Sequence, residues 1–376
     1  MHGFGLDERQ RMYTIDRLDA ARAATAAAGL DALLLSPGSD LRYLTGYAAK
    51  PTERLTLLVL PVDGPATLIV PRLERPDAEA APAGGLGVTI TDHLDGTDPY
   101  PLVATALRGA ASVGLANRMW AEQVLALRAA LPGVSQALAG DVLRELRLRK
   151  SPEEVEALRR AGAAIDSVHA RMGEWLRPGR TEAEVAGDIA AAIRAAGHER
   201  VDFTIVASGP NGASPHHHTS DRVIGAGDPV VVDIGGTMPD GYCSDCTRTY
   251  VAGGRPPADF AEYYAALHEA QLAGLAAVRP GVAAQDVDAA CRDLLTKAGY
   301  GPEFLHRTGH GIGLDGHEDP YLVAGNDRPL EPGMAFSIEP GVYRAGRHGA
   351  RIEDIVVCTE DGADRMNTLP TELVVL

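Results

Sequence analysis

Two histidines, His310 and His317, stand seven residues apart in "RTGHGIGLDGHE" (residues 307–318), among four glycines. Seven residues make two helical turns, but Gly309, Gly311 and Gly313 disfavour a helix, so the stretch reads as a loop or a strand. Glycines beside a histidine mark backbone that turns sharply or passes close to something. A histidine held there can reach a metal or a substrate; the competing reading is a glycine turn with two solvated histidines. Four acids elsewhere bear on the choice. Asp233 ends the apolar run "PVVVDIG", Asp245 follows in "GYCSDCTRT", Glu339 lies in "MAFSIEPG" and Glu353 in "ARIEDIVV". Each alone reads as a strand-end carboxylate facing water, because a charge in a buried strand needs a partner or a metal to offset desolvation. Four together with one imidazole form a hard, oxygen-dominated donor set, which suits Mn²⁺ or Co²⁺ better than a thiolate-type structural zinc.

The elements that must position these residues fall into two groups, as a chain of 376 residues suits two domains. "YTIDRLDAARAATAAAGL" has a helical pattern, "DALLLS", "LTLLVLP" and "ATLIVP" read as buried strands, and a strand at "SVGLA" precedes a helix at "AEQVLALRAALPG". This is a small α/β domain over residues 1–148. A new helix starts where Ser151 can cap, Pro152 fits the first turn, and Glu153 and Glu154 favour the positive helix end. Over 149–376 the pattern predicts helices at about 152–176, 181–197, 258–278 and 284–298, with strands at "PVVVDIGG", "RTYVAG", "MAFSIEPGVY" and "ARIEDIVVCT". The second domain is therefore α+β.

The charge balance, 35 basic against 51 acidic residues for a net −16, repels phosphate backbones and anionic lipid headgroups, which argues against nucleic-acid and membrane partners. The start, "MHGFGLDERQRMYTIDRLDA", lacks a basic segment followed by an apolar one, and no run of 18 apolar residues follows; a cytoplasmic protein is expected. Four cysteines, Cys243, Cys246, Cys291 and Cys358, are too few for a disulfide scaffold at this length. The C-x-x-C around Asp245 has no second pair, so Cys243 and Cys246 read as small strand or turn residues rather than a redox or zinc site. "ASGPNGAS" and "AGGLGV" lack the context of a nucleotide-binding loop.

The order Asp, Asp, His, Glu, Glu, in the settings "DIGG", "SDCTRT", "GHGIGLDGHE", "SIEPGVY" and "ARIEDIVV", resembles the pita-bread metallopeptidases, the family of methionine aminopeptidases, aminopeptidase P and prolidase. The likeness covers residues 148–376. It implies a C-terminal pita-bread (creatinase/aminopeptidase) domain and a dinuclear centre, with Asp233 on one metal, Asp245 and Glu353 bridging, and His310 and Glu339 on the other. Two divalent ions are implied, Mn²⁺ first, with Co²⁺ or Zn²⁺ as alternatives. Asp233 and Asp245 are twelve apart where eleven is usual, so "GTMPDG" is expected to hold a longer turn.

The resemblance further implies His317 and His216, the latter in "SGPNGASPHHHTSD", as substrate-contacting groups, Glu339 as general base and Arg351 as the group that positions the carboxylates. His217 and His218 read as polar loop. The N-terminal domain resembles the creatinase type, joined through "LRLRKSPEEVEALRRA". It points to a homodimeric peptidase for short peptides with proline second, an Xaa-Pro aminopeptidase or dipeptidase. A creatinase-like hydrolase works without the metals, and a dead-site binding protein would have lost donors; all five donors are present here. Prolidase-like relatives are expected to carry an arginine four residues after the second histidine, where this chain has Tyr321. Selection for a dipeptide carboxylate is accordingly expected to be weak, with tripeptides accepted as well or better, unless Arg42, Lys50 or Arg54 supplies the charge.

Overall fold

The structure, a computed structural model, describes residues 12–376; part of the N-terminal stretch read above as lacking a leader pattern lies outside the described residues. The chain forms two compact units, Met1–Arg147 and Leu148–Leu376. In the first, six strands form one mixed sheet: β1 (Ala32–Leu35), β2 (Leu57–Pro61), β3 (Thr67–Pro71), β4 (Thr89–His93), β5 (Ser112–Leu115) and β6 (Ser135–Leu138), in the order β4-β3-β2-β1-β5-β6. Every residue of β1 and β2 is buried, so their unbroken apolar runs reflect cover on both faces. Val103 and Leu107 of helix Tyr100–Leu107 and Leu127 of helix Ala121–Ala130 share a core with Leu34, Val59 and Ile69.

The second unit pairs helices with sheets twice. Helices Pro152–His169 and Glu182–Ala195 each begin with a capping box, Ser151 with Glu154 and Thr181 with Glu184, satisfying N–H groups that would otherwise lack partners. They pack through Ile165, Val168, Val185, Ile189 and Ile193 on β7 (Arg200–Ser208), β8 (Asp228–Thr237) and β9 (Cys243–Ala252). Helices Phe260–Ala277 and Ala284–Lys297 pack through Phe260, Leu267, Val287 and Leu295 on a second set of strands. These are β10 (Gly309–Gly311), β11 (Glu318–Leu322), β12 (Ala335–Ile338) and β15 (Asp354–Cys358), together with the hairpin of β13 (Gly341–Arg344) and β14 (His348–Arg351). An isolated bridge, Thr247 to Glu353, joins the two sets where their inner faces meet. This is the α+β arrangement that the resemblance implies.

Three local expectations need correction. The helix drawn to 176 ends at His169 and passes into a short 3-10 turn, Met172–Glu174, with Gly173 inside it and Pro178 beyond. Asp233 does not end its strand: β8 runs on through Gly235 and Gly236, where a Cβ on Gly235 would lie 2.5 Å from Phe203 and from the Ser244 carbonyl. The stretches around Glu339 and Glu353 are each broken in two, and Pro340, lacking an N–H, stands at the break. One register nevertheless carries through the break, from Ile338↔Asp354 to Gly341↔Arg351, so Glu339 and Glu353 stand opposite each other in the gap.

Candidate metal centre

Strand geometry gathers the five predicted donors. Asp233 pairs with Thr247 and Gly235 with Asp245, so the two aspartates are diagonal neighbours on one face of β8 and β9. The bridge from Thr247 to Glu353 brings Glu353 to that face, and Glu339 follows from its position opposite Glu353. His310 arrives from β10 at a register shift, a bulge of the kind that re-aims a side chain. The glycines around it answer to space: a Cβ on Gly309 would sit 1.9 Å from the Ser337 carbonyl oxygen, and one on Gly311 would sit 2.1 Å from that of Asp319. His310 Nδ1 lies 3.1 Å from the Gly311 carbonyl oxygen. That oxygen can only accept, so Nδ1 carries the proton and Nε2 keeps its lone pair. Nε2 lies 3.2 Å from Glu339 Oε1 and 3.8 Å from Asp245 Oδ2.

Two overlapping sets of donor atoms result, each mutually within 4.8 Å: Asp233, Asp245 and Glu353 in one, His310, Glu339 and Glu353 in the other. Glu353 belongs to both. The nearest cation, Arg351, is buried and bonds Asp233 Oδ2 at 2.5 Å, leaving Asp233 Oδ1 buried without a partner. Four carboxylates against one guanidinium is an unbalanced charge. Burial and then Glu353 hold the Asp245 carboxyl well above its usual range, and burial and then Glu339 do the same to Glu353. Burial, with Asp233 behind it, pushes Glu339 up to about 7. Burial lowers His310 to about 3, keeping its imidazole neutral. A neutral imidazole, crowded carboxylates and an orphaned carboxylate oxygen aimed inward fit divalent cations.

The profile of metallopeptidase family M24 matches residues 156–360, and that of the creatinase/prolidase N-terminal domain matches residues 17–149. The chain belongs to metallopeptidase family M24. A probable dipeptidase PepE of Mycobacterium bovis is 56% identical over 96% of both chains, and an Xaa-Pro dipeptidase of Lactobacillus helveticus is 38% identical over 88% of this chain and 91% of that one. The crystal structure of a dipeptidase PepE from Mycobacterium ulcerans superposes with a TM-score of 0.91 at 57% identity, covering 97% of this chain and 98% of that one. The expected metallopeptidase, its pita-bread fold with a creatinase-type N-terminal domain, and its kinship with Xaa-Pro dipeptidases are borne out. Among the described residues no helix is long and apolar enough to cross a membrane.

Around the M24 centre the remaining predicted residues take different places. The His317 ring stacks on His310 with centroids 3.7 Å apart and can present a donor atom within 4.8 Å of those of Asp245 and His310. His216 is exposed, yet near enough to add to the burial, and to the arginines beside them, that depress His317 and His306. Arg351 is no surface arginine: it also donates to the Tyr343 hydroxyl at 2.7 Å, and that hydroxyl lies 2.8 Å from His306 Nε2. His217 corrects the polar-loop reading, since its Nε2 lies 3.0 Å from the fully buried Glu182. His218 is exposed. Cys243 and Cys246 are free and buried, three apart on one strand and so on opposite faces.

The sequence reading passed over Thr247, which donates to Glu353 at 2.7 Å, and Ser337, which donates to Glu339 at 3.0 Å. Each lies two residues from a donor acid, on the same strand face, and that period was the available signal. It also passed over Arg307, whose guanidinium sits 4.6 Å over the Tyr321 ring. A cation therefore does occupy the neighbourhood of Tyr321, which removes the ground for expecting weak carboxylate selection there.

Proposed function

We propose that this chain is a dinuclear metallo-dipeptidase that cleaves the Xaa-Pro bond of short peptides. The observation that carries the reading is the pair of overlapping donor sets with Glu353 in common and the unpartnered Asp233 Oδ1. Asp233 would hold one ion, Asp245 and Glu353 both, and His310 and Glu339 the other, with Mn²⁺ proposed ahead of Co²⁺ or Zn²⁺ because oxygen donors dominate. Bound there, two divalent ions supply Lewis acidity and bring the pKa of a water towards neutrality. The chain's own groups do the rest. Glu339, its affinity for protons already raised by burial, takes the proton as general base. His317 and His216 face the substrate and stabilise charge developing on the scissile carbonyl oxygen. Arg351, tied to Asp233 and Tyr343, is the positioning residue.

The proline preference is carried over from the name of the Lactobacillus helveticus relative, an Xaa-Pro dipeptidase, and the dipeptide length from the names of both relatives. The boundary near residue 148, the homodimer and the cytoplasmic setting belong to the same reading, the first supported by the two compact units. The test is metal analysis joined to a peptide panel. Chelation is expected to abolish cleavage of Leu-Pro and Ala-Pro, and Mn²⁺ to restore it with up to two ions per chain. Undiminished turnover in fully metal-depleted protein overturns the metal assignment, and cleavage of Leu-Ala as fast as Leu-Pro overturns the proline assignment.

A further inference from the structure

Arg307 is half-buried, three residues before His310; among the described residues it forms no ion pair, the carboxylate its charge reaches being that of Glu339 in the donor cluster. Leaving a guanidinium partly out of water without a bonded counter-charge is costly. Two neighbours fix where it points. Its guanidinium carbon lies over the ring of Tyr321, the cross-strand partner of His310, 4.6 Å from the centroid, and one terminal nitrogen lies 3.1 Å from His317 Nδ1. Stacking occupies the face of the guanidinium and leaves its N–H edge for in-plane pairing. Because an arginine can only donate, His317 Nδ1 must accept, so neutral His317 carries its proton on Nε2. The His317 ring in turn stacks at 3.7 Å on the ring of His310, which places the guanidinium one short side chain from the donor cluster.

We propose that Arg307, held by Tyr321, is the anchor for the free α-carboxylate of a dipeptide substrate. This rests on the dipeptidase reading and deepens it. In a dipeptide only one residue separates the scissile carbonyl from the terminal carboxylate, a span of about one Cα–Cα step of 3.8 Å plus the carboxyl group. Arg307, next to His317 and one ring from His310, matches that reach. A planar carboxylate pairs with the free edge of a guanidinium in bidentate fashion, giving charge neutralisation and register together. Residues beyond the second would push an uncharged amide against this edge, so the same group that binds dipeptides discriminates against longer peptides.

The test compares kcat/KM for free acids and their amides, Leu-Pro against Leu-Pro-NH2 and Ala-Leu against Ala-Leu-NH2, in Mn²⁺-loaded full-length protein. The wild type is expected to prefer the acids by roughly 100-fold. Arg307→Met is expected to bring that ratio to within about fivefold of one, chiefly through KM, with Arg307→Lys recovering part of it. The shared effect of losing the His317 contact cancels in the ratio. Tyr321→Leu, which frees the guanidinium, is expected to lower the ratio about tenfold and serves if Arg307→Met does not fold. An acid-to-amide ratio near one in the wild type, or a ratio unchanged by Arg307→Met, overturns the proposal. Cleavage of Ala-Leu but not Leu-Pro, with the ratio collapsing as expected, overturns the proline assignment and leaves the anchor standing.

Discussion

Glu353 and Asp354 are consecutive, both buried, and answered in opposite ways. Strand alternation sends them to opposite faces, as it does Thr247 and Arg248 on the neighbouring strand. Asp354, on the helix-covered side, accepts from Arg248 at 2.7 Å and Gln271 at 2.9 Å and forms an ion pair with Arg365 at 2.7 Å. The protein has matched that charge completely. Glu353, on the inner side, receives one hydroxyl, from Thr247, and faces three other carboxylates with a single guanidinium among them. Burial does not distinguish the two acids. What separates a structural buried carboxylate from one kept for function is whether the fold supplies the counter-charge itself. Where it does not, something that binds must.

The contrast breaks first at catalysis. Glu339→Gln is expected to lower kcat by roughly 10²–10⁴ while leaving the folded protein intact, because it removes a proton acceptor from an overcharged cluster. A fall below tenfold in Mn²⁺-saturated protein argues that another group takes the proton. Next in size, Arg248→Met leaves Asp354 only Arg365 and Gln271 and strips a donor from the buried Glu353 carbonyl; it is expected to cost about 2–4 kcal/mol in urea unfolding, with the metal content of the folded fraction retained. A loss under 1 kcal/mol would erase the distinction between the faces.

The smallest effect sharpens the sign. In metal-free protein Glu339 titrates near 7 when folded and near 4.5 when unfolded, so its charge destabilises the fold fully above pH 7 and not at all below pH 4.5. Metal-free Glu339→Gln is therefore expected to gain on the wild type as pH rises from 5 to 8, by ~1–3 kcal/mol. A difference that shrinks over that range contradicts the raised pKa.

The five proposed donors were legible from the order and settings shared with the pita-bread metallopeptidases; by local pattern alone Asp233, Glu339 and Glu353 stand out in apolar runs and glycines bracket a histidine, whereas Asp245, among polar residues, does not. The Ser151 cap and the apolar strands of the first unit were legible for the same local reason. What escaped depends on register and on partners distant in sequence. Nothing near Tyr321 in the chain announces Arg307, fourteen residues earlier, because the β10–β11 pairing and its bulge bring them together. His217 meets Glu182 across 35 residues, and a row of three histidines hides which one is engaged. Asp233 looked like a strand end because it closes an apolar run, whereas the missing side chains of Gly235 and Gly236 let β8 run on close to Phe203, Ser244 and His198.

The opposed glutamates carry a consequence for how such sites are searched for and transplanted. Their opposition is set by pairs on both flanks, Ile338↔Asp354 inside and Gly341↔Arg351 outside, while the chain turns back only at 345–347. Residues added at that tip would loop outward and leave both acids where they stand; one residue added within either arm would turn an acid away. The interval of fourteen between Glu339 and Glu353 thus belongs to the tip and not to the chemistry. A search by fixed spacing would discard working centres with longer tips, and a graft must copy the ladder and can leave the length free.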